Sequence, residues 1–262
     1  MPKKIYAVSV VLLLTTVLFA GKKKSETDPI MADVTARGRA LFEYDEAAWH
    51  ASDAVQATHP ATNSLGRYIA HKSESGWTVA FGHLNEQRDK FIVGYEATQG
   101  TAPNEFTVRK LDPPGEDTSF YLSAAKAIET ALHDFRGEQR PYNVAVLPAP
   151  SGQLFVYVLP AQTKAGVYPL GGDVRYLIRA DGGTIAEKRQ LHKGIIELSP
   201  DSLPKGATPA GGYHTHVLSD VPEDTDVFHV LTRKPPQPEM IRTRSRKLYK
   251  ISVDGTIREG KM

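Results

Sequence analysis

Apolar positions along the chain change period several times, and each change marks an element. Residues 34–57 are rich in alanine and charge, and Leu41, Phe42, Ala48, Trp49 and Val55 fall at spacings that suit one buried face of a helix. Pro60 closes that segment. Period-two runs follow: 67–70, 76–82 and 90–97, with Trp77, Val79 and Phe81 alternating, as do Phe91, Val93 and Tyr95. Gly, Asn and Asp punctuate them, so the pattern predicts a small antiparallel meander buried on one face. Asp112-Pro-Pro-Gly-Glu-Asp-Thr is rich in turn formers and is the predicted domain boundary.

The helical period returns over 119–135. Leu122, Ala125, Ile128, Leu132 and Phe135 share a face, Ser119 or Ser123 is the expected cap, and Gly137 is the expected stop. Strands are predicted over 142–147, 153–159 and 174–179, with another over 247–253. Asp181-Gly-Gly and Asp254-Gly255 follow strands as hairpin turns. The fold class is therefore α+β. A helix and a small antiparallel sheet span 34–115, and a second α+β unit spans 119–262.

Ahead of these elements the pattern is different. Lys3 and Lys4 precede an uncharged, mostly apolar run from Ile5 to Ala20, which reads as a signal peptide or N-terminal membrane anchor over residues 1–24. The run is short for a span, which needs about 20 apolar residues. Cleavage after Ala20 would place Leu18 where a small residue is wanted, and Lys22 to Lys24 oppose translocation. The expected location is a cell membrane, periplasm or extracellular space, in a bacterial-type envelope. Residues 25–33 read as a linker.

Charge changes the picture once the leader is set aside. Five of the 32 basic residues lie in residues 1–24, which hold no acid, so the body carries 27 basic residues against all 30 acidic ones. A mildly acidic body has no electrostatic footprint for nucleic acid. Arg242-Thr-Arg-Ser-Arg-Lys247 reads as a solvated strand or loop. The chain has no cysteine, which excludes disulfides, thiolate metal sites and thiol catalysis.

The segment with chemistry in it is Gly211-Gly-Tyr-His214-Thr-His216, followed by Pro222-Glu223-Asp-Thr-Asp226 and the apolar run Val227-Phe-His-Val-Leu. Residues two apart in a strand face the same way, so His214 and His216 offer two imidazoles side by side. A carboxylate at the start of the next helix would complete a set of three nitrogen and oxygen ligands with one position open. That is the arrangement of a catalytic zinc.

This segment resembles the JAB/JAMM (MPN-like) metalloprotease family, in which a His-x-His strand leads through a loop into a helix carrying Asp. The resemblance covers roughly residues 119–262. It implies a mixed sheet flanked by helices, with Zn2+ held by His214, His216 and Asp226. The family's activating Glu has Asn143 at the corresponding place, within Pro141-Tyr142-Asn143, and its loop Ser has Glu223. Asn cannot take up a proton as a carboxylate does, so the ligands match and the catalytic pair does not. Glu138 and Glu197 are the weak substitutes for a general base.

The remaining histidines read as packing or surface positions: His192 as a surface or packed residue, His83 as a turn residue, and His229 as core, or as a group orienting Asp226. Trp49 and Trp77 read as core. No phosphate loop or Gly-x-Ser-x-Gly elbow is present. Three functions stay open: a catalytically degenerate JAB-like domain that binds a peptide or protein partner, a zinc-dependent peptidase or isopeptidase, and an envelope protein of unrelated fold without metal.

Overall fold

In the computed structural model, residues 28–61, 65–198 and 210–260 are described. The expected leader lies outside them. Asp28 accepts the Ile30 N–H at 2.9 Å, and Pro29 takes a position that needs no helical donor. These two residues start α1 (Pro29–Gln56), so 29–33, expected as linker, are helical. Its buried positions include Met31, Val34, Gly38, Leu41, Tyr44, Ala48, Ala51 and Val55, a stripe three and four apart. Trp49, expected in the core, is 49% exposed, because α1 turns that face outward. Among the described residues, no helix is long and apolar enough to cross a membrane.

The three predicted runs form β1 (Arg67–Ser73), β2 (Gly76–Leu84) and β3 (Phe91–Gln99), and a strand that was not expected, β4 (Phe106–Asp117), extends the antiparallel sheet in chain order. His83, expected in a turn, pairs with Ile92 near the end of β2. β4 continues past Asp112-Pro-Pro, but its ladder with β3 is interrupted there: Lys110 pairs with Tyr95 and Gly115 with Val93, and 111–114 bulge out. Asp117 then accepts the Leu122 N–H at 3.0 Å, at the head of α2 (Phe120–Asp134). The capping group is thus Asp117; Ser119 makes no side-chain cap.

A second antiparallel sheet follows. β5 (Tyr142–Pro148) and β6 (Leu154–Pro160) lead to β7 (Tyr168–Gly171). β8 (Val174–Ile178) and β9 (Ile185–Gln190) then complete the sheet in the order β5-β6-β8-β9. β7 pairs instead with β10 (Ile195–Leu198). The two large sheets share their cores. Leu41, Tyr44, Trp77 and Val79 cluster with Leu147, Tyr157 and Leu159, while Ile69, Ala80 and Phe91 cluster with α2 and Val156. Residues on either side of position 115 therefore bury their apolar surface together.

The last sheet is mixed. β11 (Gly212–Thr215) runs parallel to β12 (Glu239–Arg242), with α3 (Asp224–Thr232) as the crossover between them. β13 (Leu248–Ile251) and β14 (Ile257–Glu259) then add antiparallel. α3 lies against α1 at Gly38, where a Cβ would stand 2.5 Å from Asp224 O and 2.5 Å from Val227 Cβ. Met31 and Val34 join Val227, Val230, Ile241 and Ile251 in a third core cluster. Fully buried Asp224 fixes α3 further. It accepts from Arg37 at 2.9 Å, Arg175 at 2.5 Å and Tyr157 at 2.8 Å, which ties the helix to α1, β8 and β6.

Candidate metal centre

β11 carries His214 and His216 on one face, as period two requires, and both are buried. Across from them stands Asp226, in the first turn of α3 with no exposure. Its Oδ2 accepts the backbone N–H of Glu223 at 2.6 Å, which satisfies an otherwise free donor at the helix start and fixes the carboxylate. Oδ1 then faces the imidazoles.

His192 completes the group, contrary to its expected role as a surface or packed side chain. It lies just beyond β9, 7% exposed. Hairpin pairing carries it there: Val174 pairs with Gln190, and Leu191 N–H donates to Asp173 O at 3.1 Å, so Asp173 and His192 lie side by side.

One ligand atom from each of His192, His214, His216 and Asp226 lies within 4.8 Å of all the others. His216 Nε2 is 3.0 Å from His192 Nε2 and 3.0 Å from His214 Nε2. Asp226 Oδ1 is 3.1 Å from His192 Nε2, 3.0 Å from His214 Nε2 and 3.4 Å from His216 Nε2. Metal–ligand bonds of 2.0–2.1 Å put tetrahedral ligands roughly 3.3 Å apart. Five of the six ligand pairs here fall near that edge length. The sixth pair, His192 with His214, is wider.

The far side of each ring decides what these atoms can do. His192 Nδ1 faces Asp173 Oδ1 at 2.8 Å, His214 Nδ1 faces Glu239 Oε1 at 2.8 Å, and His216 Nδ1 faces Val221 O at 3.0 Å. Each partner is an acceptor, so each Nδ1 carries the hydrogen and donates it. In the neutral, metal-ligating form each imidazole keeps only that hydrogen, so three Nε2 lone pairs and a carboxylate converge on one point. That convergence calls for a cation, and outer hydrogen bonds of this kind orient metal-ligating histidines. The buried cluster could hold a metal ion.

The field in the cluster favours a positive charge, which a proton on an imidazole supplies when no ion does. Burial opposes ionisation of Asp226, yet His192 and His216 outweigh it and hold the carboxyl well below its usual range. Burial likewise opposes charge on His214, but Asp226 and Glu239 raise it to about 9. Glu239, 1% exposed, is held in turn by Arg233 at 2.6 Å. Its place depends on Gly212, where a Cβ would meet Glu239 Oε2 at 1.9 Å.

The other candidates lie outside the group. Glu138 is exposed in the loop after α2, and its N–H donates to Tyr142 Oη. Glu197 is exposed on β10 and pairs with Arg140 at 2.7 Å. Asn143 is exposed on β5 and lines a different cavity. Glu223, buried beside the start of α3, pairs with Arg189 at 2.6 Å. His229 is buried one turn after Asp226 and is not among the four. A cavity of about 160 Å³ reaches His192, His214 and His216 between apolar residues that include Leu191, Ile195 and Leu218.

No family model, curated protein or solved structure matches the chain.

Proposed function

We propose that this chain is a metal-binding protein of the membrane border or the space outside the cytosol, with a degenerate JAB-like C-terminal half. Its four-residue site holds a divalent transition metal, zinc first of all, and the ion secures the fold and a binding surface for a peptide or protein partner. The observation that carries this reading is the convergence of three Nε2 lone pairs and the Asp226 carboxylate, each imidazole fixed from behind. Three imidazoles and a carboxylate without thiolate suit zinc and its borderline neighbours.

A structural or binding role is favoured over peptide hydrolysis by the fourth ligand. His192 takes a position that a catalytic zinc leaves to water. Asn143 and Glu223 are engaged elsewhere, and neither Glu138 nor Glu197 belongs to the cluster. The ligands come from the end of β9, from β11 and from α3, so one ion would tie the second sheet to the last one, in a chain with no cysteine to do so. The His-x-His strand running into a helix with Asp226 supports the JAB-like reading, and Lys3, Lys4 and the apolar run behind them support the location.

A zinc-dependent peptidase is the second reading. The observation favouring it is the 160 Å³ cavity at the three histidines, next to the wide edge of the cluster, where a water could join the ion.

Metal analysis of the purified full-length protein separates these readings. We expect about one equivalent of zinc, lost when His214→Ala and His216→Ala are combined. Absence of stoichiometric metal after equilibration with zinc would sink both metal readings. Peptide cleavage by the zinc-loaded protein, abolished in the double variant, would replace the first with the second.

A further inference from the structure

A second cavity, of about 410 Å³, lies among α1, β1, the β5–β7 region and α3, and shares no lining residue with the one at the histidines. Its size is that of a small-ligand pocket. Trp49, Tyr68, Tyr168 and Phe228 give it aromatic walls. Asp45 and Trp49 stand four apart on α1, hence on one face, and both line the cavity.

Asp45 is the unusual group. Among the described residues its carboxylate has neither a hydrogen bond nor an ion pair. Burial, and then the charge of Glu46, raise its pKa to about 6. Nearby Tyr68 feels the same carboxylate, which adds to the effect of burial in raising the phenol to about 12. A half-buried carboxylate without a partner destabilises a fold. Here it borders a space wide enough for a partner.

The rest of the lining suits a cation. The ammonium of Lys234 stands 5.1 Å from the centroid of the Trp49 ring, so that face already accepts positive charge. Among the described residues Glu46 reaches only His50, at 3.7 Å, and it adds a second negative charge. His229 also lines the cavity, and burial, then Arg233, lower its pKa to about 4, which leaves it neutral near pH 7. With one cation and two carboxylates on the walls, a ligand with a single positive charge balances the site.

We infer that this cavity binds a small organic ammonium compound with an apolar body, its ammonium seated at Asp45 and its body against Trp49, Tyr68 and Phe228. The inference stands apart from the metal reading, since no metal-cluster residue lines the cavity.

The test uses the full-length protein with 2-phenylethylamine and with 2-phenylethanol, the uncharged analogue of similar shape, by titration calorimetry. The amine should bind at one site at least about tenfold more tightly than the alcohol, as a charge-assisted hydrogen bond requires. Asp45→Asn should erase that preference and raise Tm, while metal content stays at the wild-type level. Trp49→Leu, a change at an exposed ring, should weaken both compounds. No saturable amine binding up to about 10 mM, a weaker interaction than any built site gives, would overturn the inference. Equal affinity for amine and alcohol, or an amine preference that survives Asp45→Asn, would overturn it too.

Discussion

Asp226 stands 3.0 Å from Nε2 of His214 while its other oxygen is held by the Glu223 backbone at the head of α3. Cap and ligand are one side chain. Asp226→Asn keeps an oxygen for the cap but turns an amide donor or a neutral oxygen towards the histidines. We expect the helix to persist by circular dichroism, while zinc affinity falls by roughly 100-fold or more, beyond the usual loss for an outer-layer change. Unchanged affinity in a competition titration would remove Asp226 from the ligand set.

The acceptors behind the rings should matter nearly as much. Glu239→Gln and Asp173→Asn each replace a carboxylate that orients a ligand, and each should weaken zinc binding by about 10- to 100-fold. Gly212→Ala should have a similar effect without touching a polar group, because its Cβ would displace the buried, Arg233-paired Glu239. The same titration ranks all three variants.

Metal should stabilise the fold. At free zinc about 1,000 times Kd, linkage gives about 4 kcal/mol. Denaturant midpoints measured in buffered zinc and in a chelator should differ accordingly, and His192→Ala should shrink the difference by removing the link to the second sheet. Identical midpoints with and without chelator would mean that no ion staples the sheets.

The seating of α3 rests on contacts far from the histidines. Asp224→Asn leaves Arg37 and Arg175 without their shared counter-charge, and should lower stability by about 3 kcal/mol. Gly38→Ala should cost about 1–3 kcal/mol, because its Cβ meets α3 backbone and Val227. Equilibrium unfolding in urea measures both. Since α3 carries Asp226, both variants should also bind zinc less tightly.

Asp45 sets a pH dependence of its own. Its folded pKa is raised from 3.8 to about 6 by burial and Glu46. Between these values the folded protein retains a proton that the unfolded chain has released, so stability falls as pH rises through this window. The loss is complete above about pH 6. Asp45→Asn has no such slope. It should be more stable than wild type at pH 7, by about 2 kcal/mol after allowance for partial exposure, and near parity at pH 3.5. Unfolding curves that keep a constant gap across this range would assign the effect to another group.

Much of this architecture is legible in the residues. Period two finds the first meander because each strand buries one face, and 3.6-residue spacing finds α2. The His-x-His pair and the carboxylate ten residues later are local features, so His214, His216 and Asp226 come directly from spacing. His192 does not, since nothing adjacent marks it. Counting the hairpin back from Asp181-Gly-Gly does not find it either, because the irregularity between Leu177 and Ile178 shifts the register by one residue. Trp49 departs from its expected core position for a related reason: helical period gives the faces of α1, but what covers each face depends on elements distant in the chain. Asp112-Pro-Pro reads as a break because proline removes a ladder donor; the ladder does lapse over 111–114, but as a bulge inside β4, which resumes at Gly115.

The sequence alone determined the α+β class, the cysteine-free composition and a strand that offers two imidazoles to one side. These follow from local periodicity and residue chemistry. Only the tertiary structure decided that a third imidazole closes on the same point, and that acceptors just before β8, on β12 and in the loop before α3 stand behind all three rings. It also decided that Asp45, half-buried, borders a cavity without a partner among the described residues. The reason is physical: ligand geometry and burial depend on which distant segments share a core, and spacing along a chain does not encode that.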